Sequence, residues 1–188
     1  MAIMTTSPPE REEPAASRPG DAGAARPAIF GLRPEVEADA PFRLALFRTS
    51  RGAAWDQLPL AADMLSRIME QQFLAQTQGY RSSFPQARLE IITVDGDPVG
   101  RLATNRDERS VHLIDIALVP ERRGQGIGEA ILRTLMDEAV QAGTPLTLQV
   151  ARDNPGAQRL YHRLGFVMTA ANDTHLTLRW SSPPKEPA

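Results

Sequence analysis

Residues 113 to 128 read Leu113-Ile-Asp-Ile-Ala-Leu-Val-Pro-Glu-Arg-Arg-Gly-Gln-Gly-Ile-Gly128: a buried strand, a short basic turn and a glycine-studded helix start. A helix beginning between Gly124 and Gly128 aims unpaired backbone N–H groups and the positive end of its dipole at whatever precedes it. Glycines let a ligand approach that backbone closely, so the junction is a seat for phosphate. Arg122 and Arg123 bring full positive charges to the same place, and arginine grips phosphate through two parallel hydrogen bonds. A ligand carrying a diphosphate follows.

Spacing decides among the nucleotide families that use such turns. A Walker loop needs Lys and then Ser or Thr after its last glycine, but Gly128 is followed by Glu129 and Ala130. A dinucleotide fingerprint needs Gly-x-Gly-x-x-Gly, and the spacing is Gly124-Gln-Gly126-Ile-Gly128. The remaining pattern, Arg123-x-x-Gly126-x-Gly128 after a strand, resembles the acyl-CoA pyrophosphate loop of the GNAT superfamily of N-acetyltransferases. A second stretch, Asn154-x-x-Ala157-x-x-Leu160-Tyr161-x-x-x-Gly165-Phe166, resembles a later motif of the same superfamily. The resemblance covers roughly residues 29 to 180, is strongest from 111 to 166, and is only topological before about residue 85.

The resemblance implies an α/β GNAT fold: a mixed, mostly antiparallel sheet of about seven strands flanked by about four helices, with acyl-CoA between the fourth and fifth strands. It also implies roles. Ala117, Leu118 and Val119 would offer backbone groups to the pantetheine arm and thioester. Arg122, Arg123, Gly124, Gln125, Gly126, Ile127 and Gly128 would hold the pyrophosphate. Asn154 would bond the pantetheine amides. Tyr161 falls where the superfamily most often places the general acid toward the sulfur, and a phenol with a pKa of about 10 stays protonated at neutral pH. The co-substrate is acetyl-CoA and the acceptor an amine, attacked directly in a ternary complex. The alternative is an acyl-CoA-binding regulatory module without catalysis. Many members dimerise, so a homodimer is a further expectation.

Outward from the motifs, residues 1 to 27 are rich in Pro, Ala, Gly, Glu and Arg, too poor in apolar surface to offset chain entropy. They read as a disordered arm, the domain as 28 to 180, and 181 to 188 as a disordered tail. Within the domain, a short strand over Ala28–Arg33 precedes an acidic turn from Glu35 to Asp39 and a helix over about 39 to 50. Leu44, Leu46 and Phe47 face inward there. A second helix, about 59 to 79, ends at Gly79 and carries Leu65, Ile68 and Met69 on its inner face. In GNAT domains these helices wall the acceptor site, which singles out Arg51, Trp55, Tyr80, Arg81 and Phe84. Strands follow over Arg88–Val94 and Val99–Thr104, joined by an Asp95-Gly96 hairpin, and then over Val111–Val119. The near-continuous apolar run of this third strand predicts burial on both faces, with Asp115 the exception. A helix from after Pro120 to about 142 is stopped by Gly143 and leads to a parallel strand, Leu146–Val150. A short helix capped by Asn154 or Asp153 and a closing antiparallel hairpin complete the pattern.

The formal net charge of −2 and pI near 5.9 exclude general attraction to nucleic acid or anionic membranes. With no cysteine there is no disulfide, no thiolate metal site and no cysteine acyl-enzyme. The start shows no basic segment followed by a long apolar run, and about eighteen consecutive apolar residues occur nowhere. A cytoplasmic protein without a membrane partner is expected. His112, His162 and His175 lack metal spacing, so no metal is expected, and Gly-x-Ser-x-Gly is absent. The general base is the open position. Some GNAT members carry a glutamate where Gln149 stands. Within the third strand Asp115 and His112 are the candidates, of opposite side-chain parity unless a bulge intervenes, and water is the third.

Overall fold

The computed structural model describes residues 30–55 and 59–182, without the side chains of 51–55. The arm over 1–27, most of the tail, and the side chains of Arg51 and Trp55 lie outside the described residues. The elements are β1 (Gly31–Pro34), α1 (Ala40–Trp55), α2 (Ala62–Ser83), β2 (Arg88–Val94), β3 (Asp97–Arg106), β4 (Val111–Leu118), α3 (Ile127–Ala142), β5 (Leu146–Ala151), α4 (Pro155–Arg163), β6 (Val167–Ala171) and β7 (His175–Trp180). They form one seven-stranded sheet in the order β1-β2-β3-β4-β5-β7-β6. Every neighbouring pair is antiparallel except β4 and β5, which run parallel because α3 carries the chain back between them.

The β2–β3 hairpin turns on Asp95 and Gly96, both at positive φ (54° and 88°), as a two-residue turn requires to match strand twist. One face of the sheet is covered by α3 and α4. Ile127, Ile131, Leu132, Leu135 and Ala139 of α3 pack with Ile92, Leu102, Leu113, Leu146, Leu148 and Phe166 in one buried cluster. Gly143, at φ 65°, closes α3 with its N–H on Ala139 and Val140 carbonyls, a left-handed C-cap. Across the sheet α1 lies over β3 and β4. Its Leu46 and Phe47 are buried while Leu44 is only half-buried, and Phe47 meets Phe73 of α2 edge to face at 5.7 Å.

Three differences from expectation stand out. The first strand is Gly31–Pro34, with Phe30 before it outside the strand and the expected start at Ala28 and Ile29 outside the described residues. α2 does not stop at Gly79 but continues to Ser83, its last N–H donor being Phe84 to the Tyr80 carbonyl. Pro85 is the physical stop: it pushes the preceding residue out of the helical region, and Phe84 sits at φ −136°, ψ 74°. The third difference concerns β4. Val111 and Leu113 are buried, but Ile114 to Leu118 are only half-buried, because β5 leaves β4 after three residue pairs.

The acidic turn before α1 works as a clasp. Asp39 accepts hydrogen bonds from Arg33 (2.6 and 2.8 Å) and from the Val36 N–H (2.9 Å). Chiefly through Arg33, these hold its carboxyl down at about 2. Because the folded-state value lies below the unfolded one, the stabilisation is complete above about pH 4 and lost as pH falls toward 2. Arg33 is 42% exposed, so solvent screening keeps the gain small. Asp39→Asn should therefore lower stability modestly at pH 7 and by progressively less toward pH 2, as read from urea melts across that range.

Candidate active site

The site opens where the sheet comes apart. β4 and β5 pair only at Val111–Leu146, His112–Thr147 and Leu113–Leu148, and the rest of β4 faces a cleft. At the same point β4 carries one extra residue. Leu113 lies opposite Thr104 and Asp115 opposite Ala103, which leaves Ile114 as a bulge. The extra residue cancels the alternation, so His112 and Asp115 no longer have opposite parity.

Beyond the bulge the ladder with β3 is regular to the strand end, where the Val119 N–H donates to the Val99 carbonyl at 2.9 Å. Val119 is therefore committed inward and is not the cleft donor expected of it. The alternation of an antiparallel ladder puts Ala117 in the same inward set and turns Ile116 and Leu118 toward the cleft. The Leu118 carbonyl does point that way, since Arg123 Nε donates to it at 2.9 Å. Of the three expected backbone contributors, only Leu118 turns its N–H to the cleft, and Ile116 does so as well, whereas the N–H groups of Ala117 and Val119 point to β3.

The glycine turn follows. Gly124 (φ 72°) and Gly126 (φ 81°) are left-handed, and a Cβ built on either would project into open space. Gly126 is the N-cap of α3 and supplies no side-chain oxygen. The first turn of α3, Ile127 to Glu129, accordingly presents N–H groups with no intrahelical acceptor. This backbone-lined cradle fits a diphosphate. Arg123 lines the cleft and Gly128 joins it deeper in. Gln125 donates to the Glu121 carbonyl (2.7 Å) and braces the turn. The Ile127 side chain belongs to the core, 2% exposed, so only its backbone is available. Arg122 is half-buried and is not among the cleft-lining residues.

Two cavities of about 500 and 480 Å³ share Asp115, Ile116, Leu118, Arg123 and Asn154 in their walls. One runs under α1 and α2; the other runs down to Tyr161 of α4. Asn154 caps α4, its Oδ1 accepting from the Ala157 N–H at 3.1 Å, which leaves its Nδ2 donors for the cleft it lines. Tyr161 is buried, 6% exposed, with its ring edge-on to Phe166. Burial, with a smaller contribution from the Asp115 charge, pushes its phenol up to about 12, so it is protonated at any physiological pH. His112 lies away from these cavities. Its ring stacks on Phe84 at 5.5 Å, its Nδ1 is 2.9 Å from the Thr147 hydroxyl, and burial lowers its pKa. Of the two candidate bases, the cleft contains Asp115 alone.

One group was not anticipated from the sequence. Glu35, 6% exposed at its side chain, accepts from Arg43 Nη1 at 2.5 Å and from Arg101 Nε at 2.7 Å. Both arginines are more than nine-tenths buried and line the cavity beneath α1. Arg101 Nη1 lies 4.0 Å from Asp115 Oδ2. Arg43 sits over the Phe73 ring (5.5 Å) and Arg101 over the Tyr80 ring (5.8 Å). The available signal was Arg101 itself, a charge in the middle of the apolar strand Val99-Gly-Arg-Leu-Ala103.

The profile of the Acetyltransferase (GNAT) family matches residues 55–166, more than half of the chain. An uncharacterized N-acetyltransferase of Methanocaldococcus jannaschii is 32% identical over 90 residues, 47% of this chain and 57% of the relative. A mycothiol acetyltransferase of Stackebrandtia nassauensis is 33% identical over 56% of this chain but only 35% of its own length. The chain thus spans about half or less of these relatives. The streptothricin acetyltransferase of Streptomyces lavendulae aligns more completely, 28% identical over 87% of this chain and 86% of that protein. Among solved structures, the PaiA N-acetyltransferase of Thermoplasma acidophilum in complex with coenzyme A superposes with a TM-score of 0.62 at 14% identity. It covers 82% of this chain and 99% of that one. A GNAT acetyltransferase from Elizabethkingia anophelis with acetyl-CoA bound gives 0.54 at 14% identity, over 81% and 98%.

Proposed function

The chain belongs to the GNAT acetyltransferase family, and on that premise we propose that it transfers the acetyl group of acetyl-CoA to a primary amine in a direct ternary complex. The observation that carries this reading is the splayed β4–β5 pair: it brings a diphosphate cradle, two cleft-facing backbone N–H groups and a protonated phenol onto one groove.

Acetyl-CoA, when bound, supplies an activated carbonyl carbon and a thiolate leaving group. The α3 N-terminus and Arg123 hold the diphosphate, and Asn154 orients the chain that leads to the thioester. The Ile116 and Leu118 N–H groups face the position where negative charge develops on the carbonyl oxygen, and one such fixed donor is worth about 3 kcal/mol of barrier. A C–N bond forms as the C–S bond breaks. The proton lost by the amine goes to Asp115 or to water, and the departing thiolate is held by a hydrogen bond from the Tyr161 hydroxyl and takes its proton from solvent. A phenol held near 12 is a weak acid beside a thiol of about 8.5, so Tyr161 contributes a hydrogen bond that strengthens as charge builds on sulfur rather than an early proton transfer. Tyr161→Phe should accordingly cut turnover about 10- to 100-fold and leave CoA affinity nearly intact. The wild-type rate should show no alkaline fall below about pH 11, since the phenol stays protonated throughout.

Titration calorimetry with acetyl-CoA, followed by thiol release against a panel of amines, tests the whole reading. Binding with amine-dependent release is expected. Binding without release from any amine would make the protein an acyl-CoA-binding module, and absence of binding would remove the assignment.

A further inference from the structure

The cavity beneath α1 and α2 lies where the family resemblance would put the acceptor, and its charges are unusually specific. Two arginines line it, locked side by side by one buried glutamate between them. That triad carries a net charge of +1, and the facing group is Asp115. Arg43 Nε and Arg101 Nη2 are fully buried without a hydrogen-bond partner among the described residues, so it is the rest of each guanidinium that faces the cavity both residues line, and the net positive charge held there favours an anion at the cavity wall. We propose that Arg43 and Arg101, fixed by Glu35, are the seat of a carboxylate on the acceptor, which is therefore a small amine bearing a carboxylate close to its reacting nitrogen, as an α-amino acid does.

Geometry and charge agree on this class. The carboxylate of Asp115 lies 4.0 Å from Arg101 Nη1, too far for a hydrogen bond. A molecule with an ammonium and a carboxylate on one carbon can meet both at once, its carboxylate at the arginines and its nitrogen at Asp115, beside the cleft-facing N–H groups of β4. The charges then balance at each stage. With the zwitterion bound, the triad (+1), Asp115 (−1) and the ligand (0) sum to zero. After the ammonium proton moves to Asp115, the triad (+1), the neutral acid and the anionic amine again sum to zero. A diamine in the same place would leave two uncompensated positive charges against the arginines, which is strongly unfavourable in a poorly solvated cavity. The rings of Phe47 and Phe73, which line the same cavity, provide the apolar contact for the acceptor's side chain.

This inference rests on the acetyltransfer reading, and its test separates the two. Acetyl-CoA binding is first measured by calorimetry. Thiol release is then followed with each α-amino acid, its carboxamide and 1,4-diaminobutane. For the best substrate, kcat/KM of the acid should exceed that of the amide by about tenfold or more. Arg101→Met and Arg43→Met, each of which leaves Glu35 one arginine, should bring that ratio near one. Arg101→Lys, which keeps the charge but loses the fork, should give an intermediate ratio and serves where a methionine variant fails to fold. Preference for the amide or the diamine overturns the carboxylate seat, as does an acid-to-amide ratio unchanged in folded variants. Bound acetyl-CoA with turnover of none of the three also overturns it while leaving the cofactor cradle standing; failure to bind acetyl-CoA is the failure of the underlying reading.

Discussion

Gly126→Val should lower acetyl-CoA affinity by two orders of magnitude or more, about 2.7 kcal/mol, in a protein that remains folded. Two costs combine. The residue sits at φ 81°, a conformation that a β-branched side chain adopts only under strain of about 1 to 3 kcal/mol. The variant can relieve that strain by turning the loop to negative φ, which re-aims the N–H groups at the start of α3. If the loop instead keeps its shape, the new side chain stands in the open space before the helix, where the diphosphate must approach the backbone. Either route removes the cradle, and neither touches the core, because, its chain neighbours aside, no protein atom lies within 4 Å of the added Cβ. Gly126→Ala should show a smaller loss, having one methyl in place of three carbons. Calorimetric titration with circular dichroism melts as the folding control reads both variants, and unchanged affinity in folded Gly126→Val would remove the loop from the binding site.

The largest effect on stability is expected at Glu35. Glu35→Gln preserves shape but leaves Arg43 and Arg101 facing each other with no anion between them, and breaking a buried ion pair from one side costs about 3 to 5 kcal/mol. In a domain of this size that corresponds to a fall in Tm of about 10 °C. The size of the penalty comes from the stranded charges more than from the lost bonds, and a compensated variant exposes this. Replacing all three residues together, Glu35→Gln with Arg43→Met and Arg101→Leu, should recover most of the loss. Thermal melts of the single and triple variants would distinguish the two accounts. If both lose equally, the triad stabilises through its hydrogen bonds rather than by charge neutralisation.

What the sequence made legible follows a physical line. Elements specified by local chemistry were read correctly: the Asp95-Gly96 turn, the left-handed stop at Gly143, the Asn154 cap and the glycine junction each depend on a few adjacent residues. The parallel strand after α3 followed from chain connectivity. The failures depend on partners distant in sequence. The bulge at Ile114 exists only in the register between β3 and β4, and it alone determines which N–H groups of residues 116 to 119 face the cleft. The Glu35 turn reads as helix-start chemistry, and Asp39 does serve that purpose, but Glu35 is occupied by an arginine 66 positions away. Gly79 suggested a helix end because glycine weakens helices; Pro85, which forbids continuation outright, was the stronger signal.

The short contact between β4 and β5 has a mechanical meaning. Among the described residues it is the one strand pairing that joins β1-β2-β3-β4 to β5-β7-β6, and it consists of three residue pairs at one end. The sheet is therefore two zipped ribbons sewn by a few stitches, with α3 as the strap across the seam. A molecule laid along the open part of the seam takes the place of the missing rungs, so occupancy itself splints the two ribbons together and the seam is the part of the backbone whose amide exchange it slows most.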